Sequence, residues 1–255
     1  MRLDPQTGKY VIFAVSLAVF AAGLAREAFM LNVGGHTIVQ DLRQFDLDAE
    51  NSVPAWWGSS AMLLAALLLY TLGAQAWRVG DRLWRLWAIM AFVFVVLSID
   101  EAASFHEGVI DPLRSAFGFG GFLFYAWVVP AFICVAGLGL VLLPLLRDLP
   151  RGLFVRFAIY GALFVFGALG MEMLGGWLDY NGYRMSAYYA LTISVEEGLE
   201  LLGVSLFVAT LLDQFDPSRA TVGRYAQHRQ QVFNHARAPA PQIRTASGQF
   251  PAAGE

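Results

Sequence analysis

Cysteine is nearly absent. The 255-residue chain has one, Cys134, so no internal disulfide framework is available to it. Cys134 lies in the middle of an apolar run, where a lone thiol reads as a packing residue. Charged residues make up only 15% of the chain and sum to a net −3. That weak balance offers no basic footprint for nucleic acid. Histidine is scarce too, at four residues, which argues against a site built mainly from imidazoles. No Walker-type loop, nucleophile elbow or Cys-x-x-Cys occurs, so ATP hydrolysis, serine-hydrolase and thiol-redox chemistry drop out.

What remains is apolar. Hydrophobic residues reach 57% and mean hydropathy is +0.54. Six runs of about 20 residues or more are long enough for a hydrocarbon core roughly 30 Å thick. They cover 10–31, 56–77, 84 to about 106, 122–146, 153–177 and 187–212. Lipid supplies no partners for backbone polar groups, so each run is expected to be a helix. The first has a signal peptide as its alternative, since Gly23-Leu24-Ala25 resembles a small-residue cleavage site. The apolar pattern resumes at Ala28 and favours a retained helix. Pro130 predicts a kink in the fourth run, and the glycines of the fifth suit close helix approach.

The expected architecture is all-α, a polytopic membrane bundle of six transmembrane helices over 1–212. A polar tail, 213–255, reads as disordered and cytoplasmic, with a short surface helix at 225–236. Basic residues orient the bundle. Arg78, Arg82 and Arg85 follow the second run, Arg147, Arg151 and Arg156 the fourth, and Arg219 and Arg224 the sixth. The opposite connections carry Arg43, Arg114 and Arg184. The positive-inside rule then puts both termini in the cytoplasm. Trp56, Trp57 and Trp177 would mark the outer interface, and Trp77, Trp84 and Trp87 the inner one.

Against this background the ionisable residues inside the runs stand out, because such groups are costly near lipid unless they face a cavity or a partner. The third run continues into LSIDEAASFHEG (97–108), the sixth carries SVEEGLELLG (194–203), and Glu172 interrupts the fifth. In the expected topology these groups all fall towards the outer side. At 100° per residue Asp100, Ser104 and Glu107 share a stripe, flanked by Glu101 and His106. Glu196 and Glu197 lie about a turn from Glu200. So many carboxylates need shared protons, a metal, or the cations Arg26 and Arg184 to neutralise them. Glu107 has a plainer alternative as a residue in headgroup water, and Arg26 and Glu27 as interfacial snorkelling residues.

The segment Phe45-Asp46-Leu47-Asp48-Ala49-Glu50-Asn51-Ser52-Val53-Pro54-Ala55-Trp56, the Asp-Glu-x4-His-Glu string at 100–107, and Glu196-Glu197 with Glu200-Leu201-Leu202-Gly203 resemble a group of bacterial multi-pass inner-membrane proteins. These are sometimes loosely labelled multidrug transporters, with no established activity. The resemblance runs from about residue 45 to 212. It implies an inner-membrane location and draws Asp48, Glu50 and Asn51 towards the site.

Three functions compete. The first is cation- or proton-linked transport, in which a small cation or small-molecule substrate enters from the periplasm and a homodimer or a conformational change completes the path. The second is a membrane-embedded hydrolase acting on a lipid or amphiphile. There Glu101, His106, Glu172 and Glu197 would hold a divalent metal (zinc, manganese, iron or calcium), with Asp100 or Glu200 as general base. The third is a non-catalytic sensor or assembly subunit. Besides these partners, only the lipid bilayer is implied.

Overall fold

The computed structural model describes residues 4–33, 38–216 and 218–220. Among them there is helix and no strand. The main helices are α1 (Pro5–Val33), α2 (Val53–Arg78), α3 (Trp84–Ala103), α4 (Phe105–Phe117), α5 (Val128–Asp148), α6 (Arg151–Val165), α7 (Glu172–Tyr180) and α8 (Ala187–Asp213). A π-helical turn, Phe166–Met171, joins α6 to α7 without a break. Five segments are long and apolar enough to cross a membrane: Pro5–Asn32, α2, α3, α5 and the continuous Arg151–Tyr180. Helix α8 has the length, 27 residues, but Glu196, Glu197 and Glu200 together carry too much charge for it to pass as an apolar span. Large apolar side chains such as Leu67, Phe92, Ile133 and Leu140 are exposed around the bundle, a surface that a bilayer solvates.

The helices begin where local chemistry starts them. Ser52 has extended backbone and its Oγ accepts the Ala55 N–H at 3.2 Å, with Pro54 in the first turn of α2. Ser186 does the same for α8, accepting the Tyr189 N–H at 3.2 Å.

Helix α8 is the hub, packing against α1, α2, α6, the π turn and α7, while α2 and α3 form the most extensive pair. The core lies between these helices. Phe94 stacks on Phe207 at 5.0 Å, and Trp87, 2% exposed, meets Phe157 edge-on at 6.4 Å. Trp87 is therefore a core residue and not part of an interfacial belt. Gly203 allows α6 and α8 to touch: a Cβ there would lie 3.0 Å from the Phe164 backbone nitrogen and 3.1 Å from the Tyr160 carbonyl oxygen. On the α1 side, Ser16 Oγ and Ser205 Oγ are 2.8 Å apart and Trp57 Nε1–H donates to Ser16 at 2.8 Å. Lys9 pairs with Asp213 at the far end.

Several expectations are revised. The third run is not one helix through residue 106. Ser104 takes a left-handed conformation (φ 54°) that ends α3 and starts α4 in a new direction. The stripe joining Asp100, Ser104 and Glu107 is thereby broken, because 100° spacing holds only within a continuous helix. The stretch with Asp111, Pro112 and Arg114 is helical and not a plain connection. Pro130 produces no kink, since it sits in the first turn of α5, where a missing N–H costs nothing. Cys134 is exposed on α5 and not packed. Beyond 212 the bundle continues: Phe215 packs against the core and Gln214 is buried. The expected disordered stretch from 221 onward, with its helix at 225–236, lies outside the described residues.

Candidate functional site

The end of the bundle that carries the 45–52 connection holds a cavity of about 170 Å³. Four parts of the chain build it. The connection supplies Asp48 and Glu50; α3 and α4 supply Asp100, Glu101, His106 and Glu107; the π turn hands Glu172 to α7; α8 supplies Glu196, Glu197 and Glu200. Nine carboxyl side chains line it against two basic ones, His106 and Arg184. Of the residues singled out by sequence, Asn51 and Ser104, along with Arg26 and Glu27, do not line it. Asn51 is exposed beside the Ser52 cap, and Ser104 acts through its backbone at the α3–α4 break.

Glycines make room for these carboxylates. A Cβ on Gly58 would sit 3.2 Å from Glu101 Oε1, and one on Gly167, inside the π turn, 2.9 Å from Glu200 Cγ and 3.0 Å from the Glu196 carbonyl oxygen. A π turn adds a residue to the helical path and is a frequent feature of functional sites. Here it rotates Glu172 to the cavity side, where Trp127 Nε1–H donates to its Oε1 at 2.9 Å.

His106 organises the α4 side. Its Nδ1 lies 2.9 Å from Asp100 Oδ2 and its Nε2 2.9 Å from Glu50 Oε1. Asp100 Oδ1 also accepts the His106 backbone N–H at 3.0 Å, serving the first turn of α4 as a capping side chain would. Both Asp100 oxygens are thus committed to His106, so in this arrangement Asp100 positions the imidazole and is not a free base. Burial pulls the imidazole pKa down, but hydrogen bonds and charge from Asp100 and Glu50 outweigh it and push it up to about 10. His106, beyond the last residue of the α3 span, therefore carries charge at neutral pH. Its ring lies 4.5 Å from that of Trp127.

A second network closes the rim. Arg184 Nη1–H donates to Asp179 Oδ2 at 2.8 Å and to Tyr125 Oη at 3.1 Å, and Nη2–H to Asp48 Oδ2 at 3.2 Å. Tyr189 Oη–H donates to Asp48 Oδ1 at 3.0 Å, and Tyr125 Oη–H to Asp179 at 2.8 Å. Burial raises the Asp48 carboxyl to about 6, against the lowering effect of Arg184 and the Tyr189 hydroxyl. Arg26, expected as a neutraliser, is instead spent on Glu27 (2.5 Å) and Asp46 (2.6 Å) and does not line the cavity.

In the cavity lining, two buried carboxylate oxygens, Glu50 Oε2 and Glu196 Oε2, accept no N–H or hydroxyl donor among the described residues. Glu196 is 7% exposed, and the Glu172 carboxyl lies in hydrogen-bond contact with it. Among the described residues no three His, Cys, Asp or Glu side chains are grouped to hold one metal ion. The donor types suit a divalent metal.

Sequence reasoning missed Tyr125, Trp127 and Tyr189. The first two sit in what reads as the start of an apolar run, and Tyr189 reads as a belt residue. Nothing in their spacing marks them as cavity walls.

Residues 11–215 match the family model described as "Domain of unknown function (DUF8692)". No curated protein and no solved structure matches the chain.

Proposed function

The chain belongs to the DUF8692 family, and from that footing we propose that it is a transporter which takes up protons or a cation in its acidic cavity. The observation that carries this reading is the imbalance of the lining, nine carboxyl groups facing one imidazolium and one guanidinium. Buried carboxylates so arranged cannot all hold charge unless protons or a cation join them. Intramembrane sites of this kind serve as ion and proton carriers.

In this reading α8 is a sixth span, its carboxylates tolerated because they turn towards the cavity and not towards lipid. Both termini lie in the cytoplasm, and the cavity faces the periplasm across the inner membrane. Arg78, Arg82, Arg85, Arg147, Arg151 and Arg156 cluster at the end opposite the cavity, which supports that orientation. The cavity occupies one end only, so a complete path needs a rocking motion or a second copy of the chain.

The test is flux in proteoliposomes. A proton gradient is imposed and followed with an entrapped pH dye, with Na⁺, K⁺ or Mn²⁺ outside. Wild type should dissipate the gradient faster than Glu197→Gln or empty liposomes. Identical decay in all three under every cation would refute transport.

A second reading has one observation of its own. Asp100 holds His106 Nδ1, leaving Nε2 directed at a carboxylate, and a carboxylate-anchored imidazole is the usual support of a metal ligand. Glu50, His106, Glu101 and Glu197 would hold such an ion after side-chain adjustment, and elemental analysis of purified protein tests it directly.

A further inference from the structure

Helix α4 stands apart from the bundle core and has three distinct sides. None of its 13 residues is buried against the described residues. At 100° per residue, Phe105, Val109, Pro112 and Ala116 fall within an arc of about 60°. All four are exposed, Phe105 by 64% and Val109 by 43%. Glu107, Asp111 and Ser115 make a second exposed sector, with Glu107 at its border with the cavity. His106 and Ile110 make the third, and they line the cavity.

Length and chemistry say which medium suits such a helix. Its 13 residues reach about 20 Å, short of the roughly 30 Å of a hydrocarbon core, so α4 is not a span. Pro112 leaves the Gly108 carbonyl without its helical N–H donor, a defect that headgroup water repairs and hydrocarbon does not. Asp111 is 80% exposed and pairs with Arg114, whose guanidinium lies 4.2 Å from the Phe124 ring centre. The apolar sector, by contrast, continues a surface that already faces lipid. On α3, Phe92, Val96, Ile99 and Ala103 are exposed at the same i, i+4, i+7, i+11 spacing. Only the left-handed Ser104 separates Ala103 from Phe105. The side of α3 that meets acyl chains is thus prolonged by one side of α4, and that continuity identifies what covers it.

We propose that α4 lies in the plane of the membrane surface at the cavity end, with Phe105, Val109, Pro112 and Ala116 seated at the acyl boundary, Asp111 and Ser115 in headgroup water, and His106 and Ile110 turned to the cavity. Helices of this make-up settle with the apolar face about 5–10 Å into that boundary. The bilayer surface then supports one wall of the cavity, whatever the cavity carries.

The experiment places nitroxide labels on full-length protein in lipid nanodiscs and reads their accessibility to oxygen, which partitions into acyl chains, and to a water-soluble nickel chelate. The native Cys134, exposed on α5, carries the reference label. Cys134→Ala then removes that thiol, and Val109→Cys, Asp111→Cys, Ser115→Cys and Ala116→Cys are labelled one at a time. Labels at 109 and 116 should favour oxygen over nickel at least threefold more than labels at 111 and 115, and should read shallower than Cys134. The 109/111 and 115/116 pairs are independent, so a variant that fails helicity and elution checks leaves the other pair to decide. Equal nickel access at all four positions would put α4 in bulk water and overturn the proposal. Oxygen preference at all four, at the depth of Cys134, would put it in the hydrocarbon and do the same. Protection of 109 and 116 from both reagents would mean that protein, such as a second copy of the chain, covers the face in place of lipid.

Discussion

His106→Ala is the perturbation whose consequence the geometry specifies most fully. The imidazole links α4 to α3 through Asp100 and to the 45–52 connection through Glu50, each at 2.9 Å. Removing it leaves Glu50 with both oxygens unpartnered, one of them already so. Breaking a buried ion pair from one side costs about 3–5 kcal/mol. The three side chains retain 19%, 19% and 27% exposure, so water offsets part of that, and a loss of about 2–3 kcal/mol is expected at pH 7. For a domain of this size that corresponds to a fall in Tm of roughly 5–10 °C. The pH dependence has a definite sign. A histidine raised from 6.5 to about 10 contributes stability that is complete below pH 6.5 and is lost as pH rises through about 10. The gap between wild type and His106→Ala should therefore narrow from pH 7 to pH 10.5. Thermal unfolding in nanodiscs, with Glu50→Gln and the double variant completing the cycle, should give a coupling of at least about 1 kcal/mol. A gap under about 0.5 kcal/mol at pH 7, or one that widens as pH rises, would show that His106 does not carry this charge.

Three further outcomes are expected. Gly203→Ala forces a Cβ to within 3.0–3.1 Å of Phe164 and Tyr160 backbone atoms and should destabilise by about 1–3 kcal/mol in denaturant titrations; Gly161→Ala, with nothing within 4 Å, should be neutral or mildly stabilising. Ser104 holds φ 54°, so Ser104→Val should cost about 1–2 kcal/mol while Ser104→Gly should not, as read from Tm. Asp48 titrates at about 6 against 3.8 unfolded, so its contribution is complete below pH 3.8 and lost as pH rises through about 6. The Tm of wild type should accordingly fall relative to Asp48→Asn between pH 4 and 7, and a flat difference would contradict the burial of that carboxyl.

The acidic stretches at 97–108 and 194–203 were legible because charge inside apolar runs is conspicuous in any one-dimensional reading. Their meeting in one cavity follows from the antiparallel order of the helices, which short connections impose. The partners were not legible. Trp127 and Tyr189 look like any aromatic in a membrane run, and Arg26 looks as available as Arg184 until Asp46 is found beside it. The break at Ser104 was hidden too, since Ser-Phe-His carries no glycine or proline to announce a left-handed residue.

Composition and the length of its apolar runs determined by themselves that this chain is a helical bundle with a surface suited to lipid, because a backbone without water must satisfy itself locally. Two properties were decided only in three dimensions. The π turn and the Ser104 break aim Glu172 and His106 into the cavity. The pairing of charges was likewise a tertiary outcome, since electrostatic energy depends on distance through space, and residues as far apart as Glu50 and His106 meet only when the chain has folded.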